Sequence, residues 1–335
     1  MTPLLSLENL SVTFGSGERR VRAVRSLSYE VKLGSTLAIV GESGSGKSAH
    51  ILAMLGLVSG SNIEVGGKAI FRGKDLLTLP PHALRDLRGK EIGVVFQDPM
   101  SSLNPVLTIG RQIAEPLIRH LGMNRKSAAA RAAELLDLVG IPDPKARLRQ
   151  YPHELSGGMR QRVMIAISIC CEPSLLVADE ATTALDVTVQ GQIVDLIRDL
   201  QKQIGMAIIW ISHDLSVVAG IADRMQVMYA GRILERGPAS SLFKDPRSAY
   251  TWGLLESLPG RHPHSDRLFQ IDGFPPDLSQ PLQGDPFAPR NPFATPRCFL
   301  EEPVLRPVDD GHPQHEVAAW YDLRLSLQQS RGVAP

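Results

Sequence analysis

Thr36-Leu37-Ala38-Ile39-Val40 runs directly into Gly41-Glu42-Ser43-Gly44-Ser45-Gly46-Lys47-Ser48, and Ile51-Leu52-Ala53-Met54-Leu55 follows closely. A continuous apolar run ending in glycine reads as a strand buried on both faces of a parallel sheet. The apolar residues after Ser48 read as a helix. Between them stands GxxxxGK[ST], in the strand–loop–helix setting that gives this motif its meaning. Glycines let backbone N–H groups converge on phosphate oxygens, and a helix N-terminus adds the positive end of its dipole. Lys47 is a point charge suited to β- and γ-phosphates, and the Ser48 hydroxyl can ligate Mg²⁺. A glycine-rich turn that happens to hold a lysine has the same letters. The flanking strand and helix argue against that reading. The motif specifies nucleotide phosphates but no particular reaction.

Two further runs have the character of buried strands: Leu175-Leu176-Val177-Ala178 and Ala207-Ile208-Ile209-Trp210-Ile211. Between them, apolar residues at 189, 193, 196, 197, 200 and 204 recur at helical spacing. Strand, helix and strand thus alternate, as a parallel α/β core requires. Nearer the start, Ser11-Val12-Thr13-Phe14 and Ser26-Leu27-Ser28-Tyr29-Glu30-Val31 alternate with the period of antiparallel strands. Residues 109–171 read as mostly helical. Ile109, Ile113, Leu117 and Leu121 form one stripe, and an Ala-rich helix over 127–139 ends at Gly140 and Pro142. The run VMIAISICC at 163–171 reads as a buried helix, with Cys170 and Cys171 as small core residues. Composition changes near residue 258. Thirteen of the 25 prolines fall in the last 80 residues, which predicts an irregular appendage without long helices or central strands.

Leu175-Leu176-Val177-Ala178-Asp179-Glu180 is an apolar strand ending in two carboxylates. In P-loop enzymes the first acid assists Mg²⁺. A second acid beside it can orient and deprotonate an attacking water. Strands often end in a solvated Asp-Glu pair, so the pattern alone is weak. Leu155-Ser156-Gly157-Gly158-Met159-Arg160-Gln161-Arg162 narrows the class. Ser156 reads as a helix N-cap, and the helix start that it caps can hold an anion. With LSGG ahead of the Asp-Glu strand end, the chain resembles the ABC ATPase family over about residues 4–255.

The resemblance implies an α/β fold. It consists of a P-loop NTPase (RecA-like) core with an N-terminal antiparallel β subdomain, a helical ABC-specific subdomain and an irregular Pro-rich C-terminal extension. Residues 1–257 would form the ATPase domain, with the helical insertion at approximately 100–170, and 258–335 the extension. ATP and Mg²⁺ are the implied ligands, and ATP hydrolysis the implied reaction. Phe14 matches the aromatic that stacks on adenine. Gly41, Ser43, Gly44, Ser45, Gly46, Lys47 and Ser48 fall on the phosphates. Gln97, after Val94-Val95-Phe96, matches the Q-loop glutamine that senses Mg²⁺ and the membrane partner. Ser48, Gln97 and Asp179 are the implied Mg²⁺ ligands; Glu180, His213 and Lys47 carry catalysis, His213 as the switch histidine on the γ-phosphate. Leu155, Ser156, Gly157, Gly158 and Met159 act on the ATP of a facing subunit. Thr183-Ala184-Leu185-Asp186 matches the D-loop along that interface. A lone histidine at a strand end is usually structural, and a strand aromatic can simply pack locally. The order of motifs along the chain is what favours roles for His213 and Phe14. Ala181 stands where relatives usually have proline, which relaxes the backbone beside the carboxylates.

Phe96-Gln97-Asp98-Pro99-Met100-Ser101-Ser102-Leu103-Asn104-Pro105 is similar to the peptide and nickel importer branch of the family, as are Met159 and the run ATTALDVTVQ at 181–190. The long tail, with Phe274-Pro275-Pro276-Asp277-Leu278 and Pro286-Phe287-Ala288-Pro289-Arg290, resembles the peptide importers more than the nickel ones. The branch implies a second, different ABC ATPase chain as heterodimer partner, two transmembrane permeases, and an extracytoplasmic solute-binding protein. Relatives' tails often hold a [4Fe–4S] cluster on four cysteines. The matching positions here are Asp285, Asn291, Cys298 and Ala319, so no cluster is expected. His312 and His315 could be taken for metal ligands, but a solvated pair on a polar loop is the expectation.

Composition bounds the alternatives. Formal net charge is +1, from 36 basic and 35 acidic residues, which lacks the basic excess of a nucleic-acid binder. A soluble ABC ATPase acting on nucleic acid or ribosomes usually carries coiled-coil insertions, zinc modules or fused halves, and none is visible. A non-hydrolysing regulatory subunit is disfavoured by intact Glu180 and His213. No run of about 18 apolar residues offers a membrane span. MTPLLSLENL lacks the pattern of a secretory signal, and three cysteines without a framework fit a reducing compartment. The expected place is the cytoplasmic face of a bacterial inner membrane, as a peripheral subunit.

Overall fold

The structure, a computed structural model, describes residues 2–17, 20–58, 60, 62–182, 186–258, 269–309 and 314–332. The chain forms two compact units. One comprises Met1–Leu5, Val31–Thr36 and Phe71–Ser212; the other comprises Ser6–Glu30, Leu37–Ile70 and His213–Pro335.

The first unit is built on three parallel strands. Leu175–Asp179 lies between Ile92–Val95 and Ala207–Ser212, with Val94 opposite Val177 and Ala178 opposite Trp210. Every residue of Leu175–Asp179 and of Ala207–Ser212 is buried. Parallel strands covered on both faces need this unbroken apolar run, which is why no alternation appears in the sequence. The helices Ile109–Leu121, Arg125–Leu138 and Gly157–Ile169 belong to the same unit. Ile109, Ile113 and Leu117 are fully buried, but Leu121 is 48% exposed. The stripe stops one turn early because Gly122, at φ 66°, ends the helix beside Leu121. The 163–171 run is helical to Ile169; Cys170 is buried and Cys171 only partly. Gly93 shows how tightly strand and helix meet: a Cβ there would lie 2.2 Å from the Ser168 carbonyl oxygen. Val187–Ile204 is helical, burying Ile193, Ile197 and Leu200 as the spacing predicts and Val194 in addition.

In the second unit, the strands Leu5–Phe14, Val21–Val31 and Ile63–Phe71 share a sheet. At the strand ends that belong to the first unit, the Leu4 N–H donates to Val31 O and the Arg72 N–H to Leu4 O, so the first strand runs antiparallel to both neighbours. Residues 37–40 of the strand Thr36–Val40 pair in parallel with Arg224–Tyr229, which turns back antiparallel into Arg232–Pro238. The sequence did not mark this hairpin.

The proline-rich tail is more regular than its composition implies. Glu316–Val317 pairs with Arg232–Pro238, and Arg306–Pro307 pairs with Glu316–Val317, so the tail extends this sheet. A ten-residue helix, Leu323–Gly332, follows. His312 lies outside the described residues. His315 corrects the expectation of a solvated loop residue: it is fully buried, and its Nε2 lies 2.7 Å from Glu235 Oε1. Glu235 is also fully buried and accepts the N–H groups of Arg247 and Ser248 at 2.7 and 2.9 Å. Three donors around one carboxylate tie the tail to the hairpin. Asp285, 3% exposed, accepts the Phe287 N–H, and burial lifts its carboxyl to about 6.

Two stability predictions come from these carboxyls. Glu235→Ala removes the buried carboxylate that three neighbouring groups share and should cost about 3–5 kcal/mol in urea unfolding; an unchanged midpoint would contradict the role. For Asp285 the folded state holds the proton more tightly than the unfolded chain. Its ionisation therefore removes stability as pH rises from the ordinary carboxylate range through about 6. Asp285→Asn keeps the acceptor for Phe287 and should add about 1–3 kcal/mol at pH 7.5, with the gain fading toward pH 4.

Candidate active site

The strand Thr36–Val40 delivers the chain into the glycine-rich loop, and Lys47 opens the helix Lys47–Met54. Two glycines are required here by space as well as by backbone angle. Gly41 has φ 155°, and a Cβ on it would lie 2.1 Å from Met228 O. Gly46 has φ 97°, and a Cβ on it would lie 2.3 Å from Ala23 O. The loop is thus wedged against two stretches of backbone, with Ser43 and Gly44 exposed at its tip. Lys47 is buried, and its Nζ donates to Gly41 O at 2.7 Å and Glu42 O at 2.9 Å. Ser45 Oγ is buried and, among the described residues, has no hydrogen-bond partner. A buried ammonium and an orphaned hydroxyl behind an exposed loop tip fit an anionic phosphate chain. Ser48 is half-buried in the first turn of the helix.

His50, two residues on, is fully buried beside this loop. Gly46 O can only accept, so the 3.2 Å contact from His50 Nδ1 makes that nitrogen the donor. Nε2 then accepts from Tyr29 Oη at 3.1 Å. Burial lowers the imidazole pKa to about 4, so the ring is neutral near pH 7 and acts as a brace.

In the first unit, Asp179 ends the strand Leu175–Asp179 and is 8% exposed. Glu180 follows with φ 48°, a left-handed conformation uncommon for a residue with a side chain. Its N–H donates to Ile211 O at 3.0 Å. Gln97 lies two residues beyond the adjacent strand Ile92–Val95, and its Nε2 donates to Glu180 Oε2 at 2.9 Å. The structure therefore brings Gln97 and Glu180 together at the C-terminal ends of neighbouring parallel strands, where α/β sheets place their ligands. Strained backbone is typical of such positions. Ala181, at the expected proline position, is buried.

Ser156 is the N-cap of Gly157–Ile169, its hydroxyl accepting the Met159 N–H at 3.3 Å. Leu155 is buried and anchors the segment, while Ser156 and Gly157 are exposed. Gly158 has Val189 close by: a Cβ on the glycine would lie 3.2 Å from its Cγ1. Asp186 caps Val187–Ile204 by accepting the Val189 N–H at 2.9 Å. Thr183, Ala184 and Leu185 lie outside the described residues. His213 is exposed directly after the strand Ala207–Ser212, and Phe14 is half-buried at the end of its strand.

The four positions matching cluster ligands are all buried. Their donor set is one carboxyl, one amide, one thiol and one methyl. The first two are committed to turns, Asp285 accepting the Phe287 N–H and Asn291 accepting the Phe293 N–H. Among the described residues no group of three or more His, Cys, Asp or Glu could hold a metal ion. These residues do not fit a four-iron cluster.

Sequence reasoning did not connect Glu42 with Tyr250 and Arg290, yet the Glu42 N–H donates to Tyr250 Oη at 2.8 Å and its carboxylate accepts from Arg290 Nη1 at 2.6 Å. Glu42 was a free letter within the motif. Arg290 stood in the quoted tail segment, but nothing local connects the two. No helix among the described residues is long and apolar enough to cross a membrane.

The family described as ABC transporter matches residues 24–183, and that described as the oligopeptide/dipeptide transporter C-terminal region matches 234–298. The chain is 49% identical to the oligopeptide transport ATP-binding protein OppD of Bacillus subtilis, over 93% of this chain and 88% of that protein. It is 47% identical to the dipeptide transport ATP-binding protein DppD of Lactococcus lactis, over 95% and 90%. Among solved structures, the ATP-binding cassette MJ0796, dimeric in a post-hydrolysis state bound to ADP and Pi, is similar at a TM-score of 0.63 and 27% identity, covering 70% of this chain and 98% of that one. A strand-borne glycine-rich loop, a capped LSGG helix and this degree of likeness to OppD and DppD place the chain in the ABC transporter family, among the ATP-binding proteins of oligopeptide and dipeptide transport.

Proposed function

We propose that the chain is the ATP-binding and ATP-hydrolysing subunit of a di- or oligopeptide importer, peripheral on the cytoplasmic face of a bacterial inner membrane. The observation that carries this reading is the 2.9 Å hydrogen bond from Gln97 to the Glu180 carboxylate, beside Asp179 at the strand end. Gly41 and Ser43 to Ser48 receive the phosphates of ATP. Lys47 exchanges its bonds to the loop's own carbonyls for β- and γ-phosphate oxygens. Phe14 stacks on the adenine. Ser48, Gln97 and Asp179 are the residues that would hold Mg²⁺, which when bound would supply charge neutralisation on the transferring phosphoryl group. Gln97 turning from Glu180 frees that carboxylate to take the proton of the attacking water. His213 steadies charge on the γ-phosphate.

Leu155 to Met159 act on the ATP of a second ABC ATPase subunit, a different chain of the same kind, with Asp186 along the interface. The exposed helix start at Ser156 supports this, since its N–H groups favour an anion. Phe96, Met100 and Val106 leave apolar side chains exposed, Met100 by 54% and Val106 by 77%. Such side chains around Gln97 suit docking of two transmembrane permease subunits. An extracytoplasmic solute-binding protein selects the cargo. Residues 1–257 form the ATPase domain and 258–335 the extension.

Glu180→Gln should abolish steady-state ATP hydrolysis while ATP still binds, read by phosphate release and nucleotide retention. Near-normal turnover in that variant would remove Glu180 from its role. The chain should co-purify with two polytopic membrane proteins and a second ATPase, and peptides should raise the Tm of the accompanying binding protein. Stabilisation by nickel complexes and not by peptides would move the cargo to the neighbouring branch.

A further inference from the structure

Every polar group of Glu42 is engaged. Its N–H donates to Tyr250 Oη at 2.8 Å. Its carbonyl accepts Lys47 Nζ at 2.9 Å and the Ser45 N–H at 3.2 Å. Its carboxylate is gripped by Arg290 of the tail, with Nη1 2.6 Å from Oε2 and Nη2 3.0 Å from Oε1. Arg290 is itself held on several sides. Its Nε donates to Asp272 O at 2.9 Å, and Nη1 also reaches Tyr229 Oη at 3.2 Å. The guanidinium sits 5.7 Å from the Tyr229 ring centre and 5.9 Å from that of Phe287. Tyr229, Tyr250 and Phe287 pack ring against ring, with centres 4.7–5.3 Å apart. Pro275, Pro276 and Leu278 of the tail line a small cavity with Glu42 to Ser45. The Arg290 side chain is only 6% exposed.

A surface ion pair would contribute little. This one is two-pronged, mostly shielded from water, and attached to the second residue of the phosphate loop. A free carboxylate at Glu42 would set a negative charge beside the place where phosphates bind, and like charges disfavour one another. Arg290 cancels that charge. Its planar fork also fixes the Glu42 side chain, and through it the backbone that carries Lys47's acceptors.

We propose that Arg290 is a positioning residue for nucleotide binding: by clamping and neutralising Glu42, it keeps the phosphate loop receptive and makes the C-terminal extension part of the ATP site. The inference rests on the reading of residues 41–48 as the loop that receives ATP phosphates.

The test uses the full-length chain and the non-hydrolysable analogue AMP-PNP with Mg²⁺, with the dissociation constant measured by calorimetry and Tm recorded alongside. Arg290→Ala should weaken binding about tenfold. Glu42→Gln should weaken it less. The double variant, which removes the stranded charge together with the clamp, should recover at least about threefold over Arg290→Ala. Arg290→Gln keeps a long polar side chain without the charge and gives the same readout should the alanine variant not fold. Unchanged binding in the Arg290 variants overturns the proposal. So does an equal loss in Arg290→Ala and the double variant, which would make Arg290 only an anchor for the tail. Lys47→Ala separates the two levels of inference. Undiminished binding in that variant would sink the phosphate-loop reading itself, whereas its loss alongside intact Arg290→Ala binding would sink only the clamp.

Discussion

Two carbonyl oxygens, of Met228 and Ala23, lie where the side chains of residues 41 and 46 would otherwise stand. That steric condition shapes the glycine-rich loop at 41–48. A methyl group at either position would have to push backbone aside, and both residues also need backbone angles that side chains disfavour. With the loop pressed against these neighbours, Lys47 enters its helix already buried and folded back over the loop carbonyls. His50, neutral and bonded to Gly46 O and Tyr29, braces the same turn from the helix side. The loop thus takes its shape from contacts with the chain's own backbone and side chains.

A second economy appears at Glu180. Its backbone is in the left-handed region, which costs free energy for a residue with a Cβ. The Ile211 carbonyl holds the N–H and Gln97 holds the carboxylate, so the position is determined from both ends. Proline at residue 181 would stiffen this corner through the chain itself. With alanine there, burial of that residue and these two bonds contribute to holding the corner.

What the sequence revealed followed the physics of each signal. Strands 36–40, 175–179 and 207–212 were legible because parallel strands covered on both faces must be apolar throughout. The stripe at Ile109, Ile113 and Leu117 was legible because helical periodicity reports a buried face. Leu121 deceived because periodicity does not say where the covering layer ends. The hairpin of Arg224–Tyr229 and Arg232–Pro238 was invisible because its charged residues break any simple pattern. His315 was misjudged for a related reason: its partner Glu235 is 80 residues away, and a polar loop composition says nothing about such a meeting. Lys47, Asp179, Ser156 and His213 could be singled out in the sequence because each stands beside a strand or helix end with recognisable flanks. The bond between Gln97 and Glu180, 83 residues apart, and that between Glu42 and Arg290, 248 apart, belong to tertiary structure alone.

The turns at Asp285 and Asn291 carry a consequence for how the extension is made. Here side-chain carboxyl and amide oxygens close the bends on the N–H groups of Phe287 and Phe293, using atoms supplied by translation alone. Bends closed in this way form as the chain folds, each by a bond that reaches only two residues along the backbone.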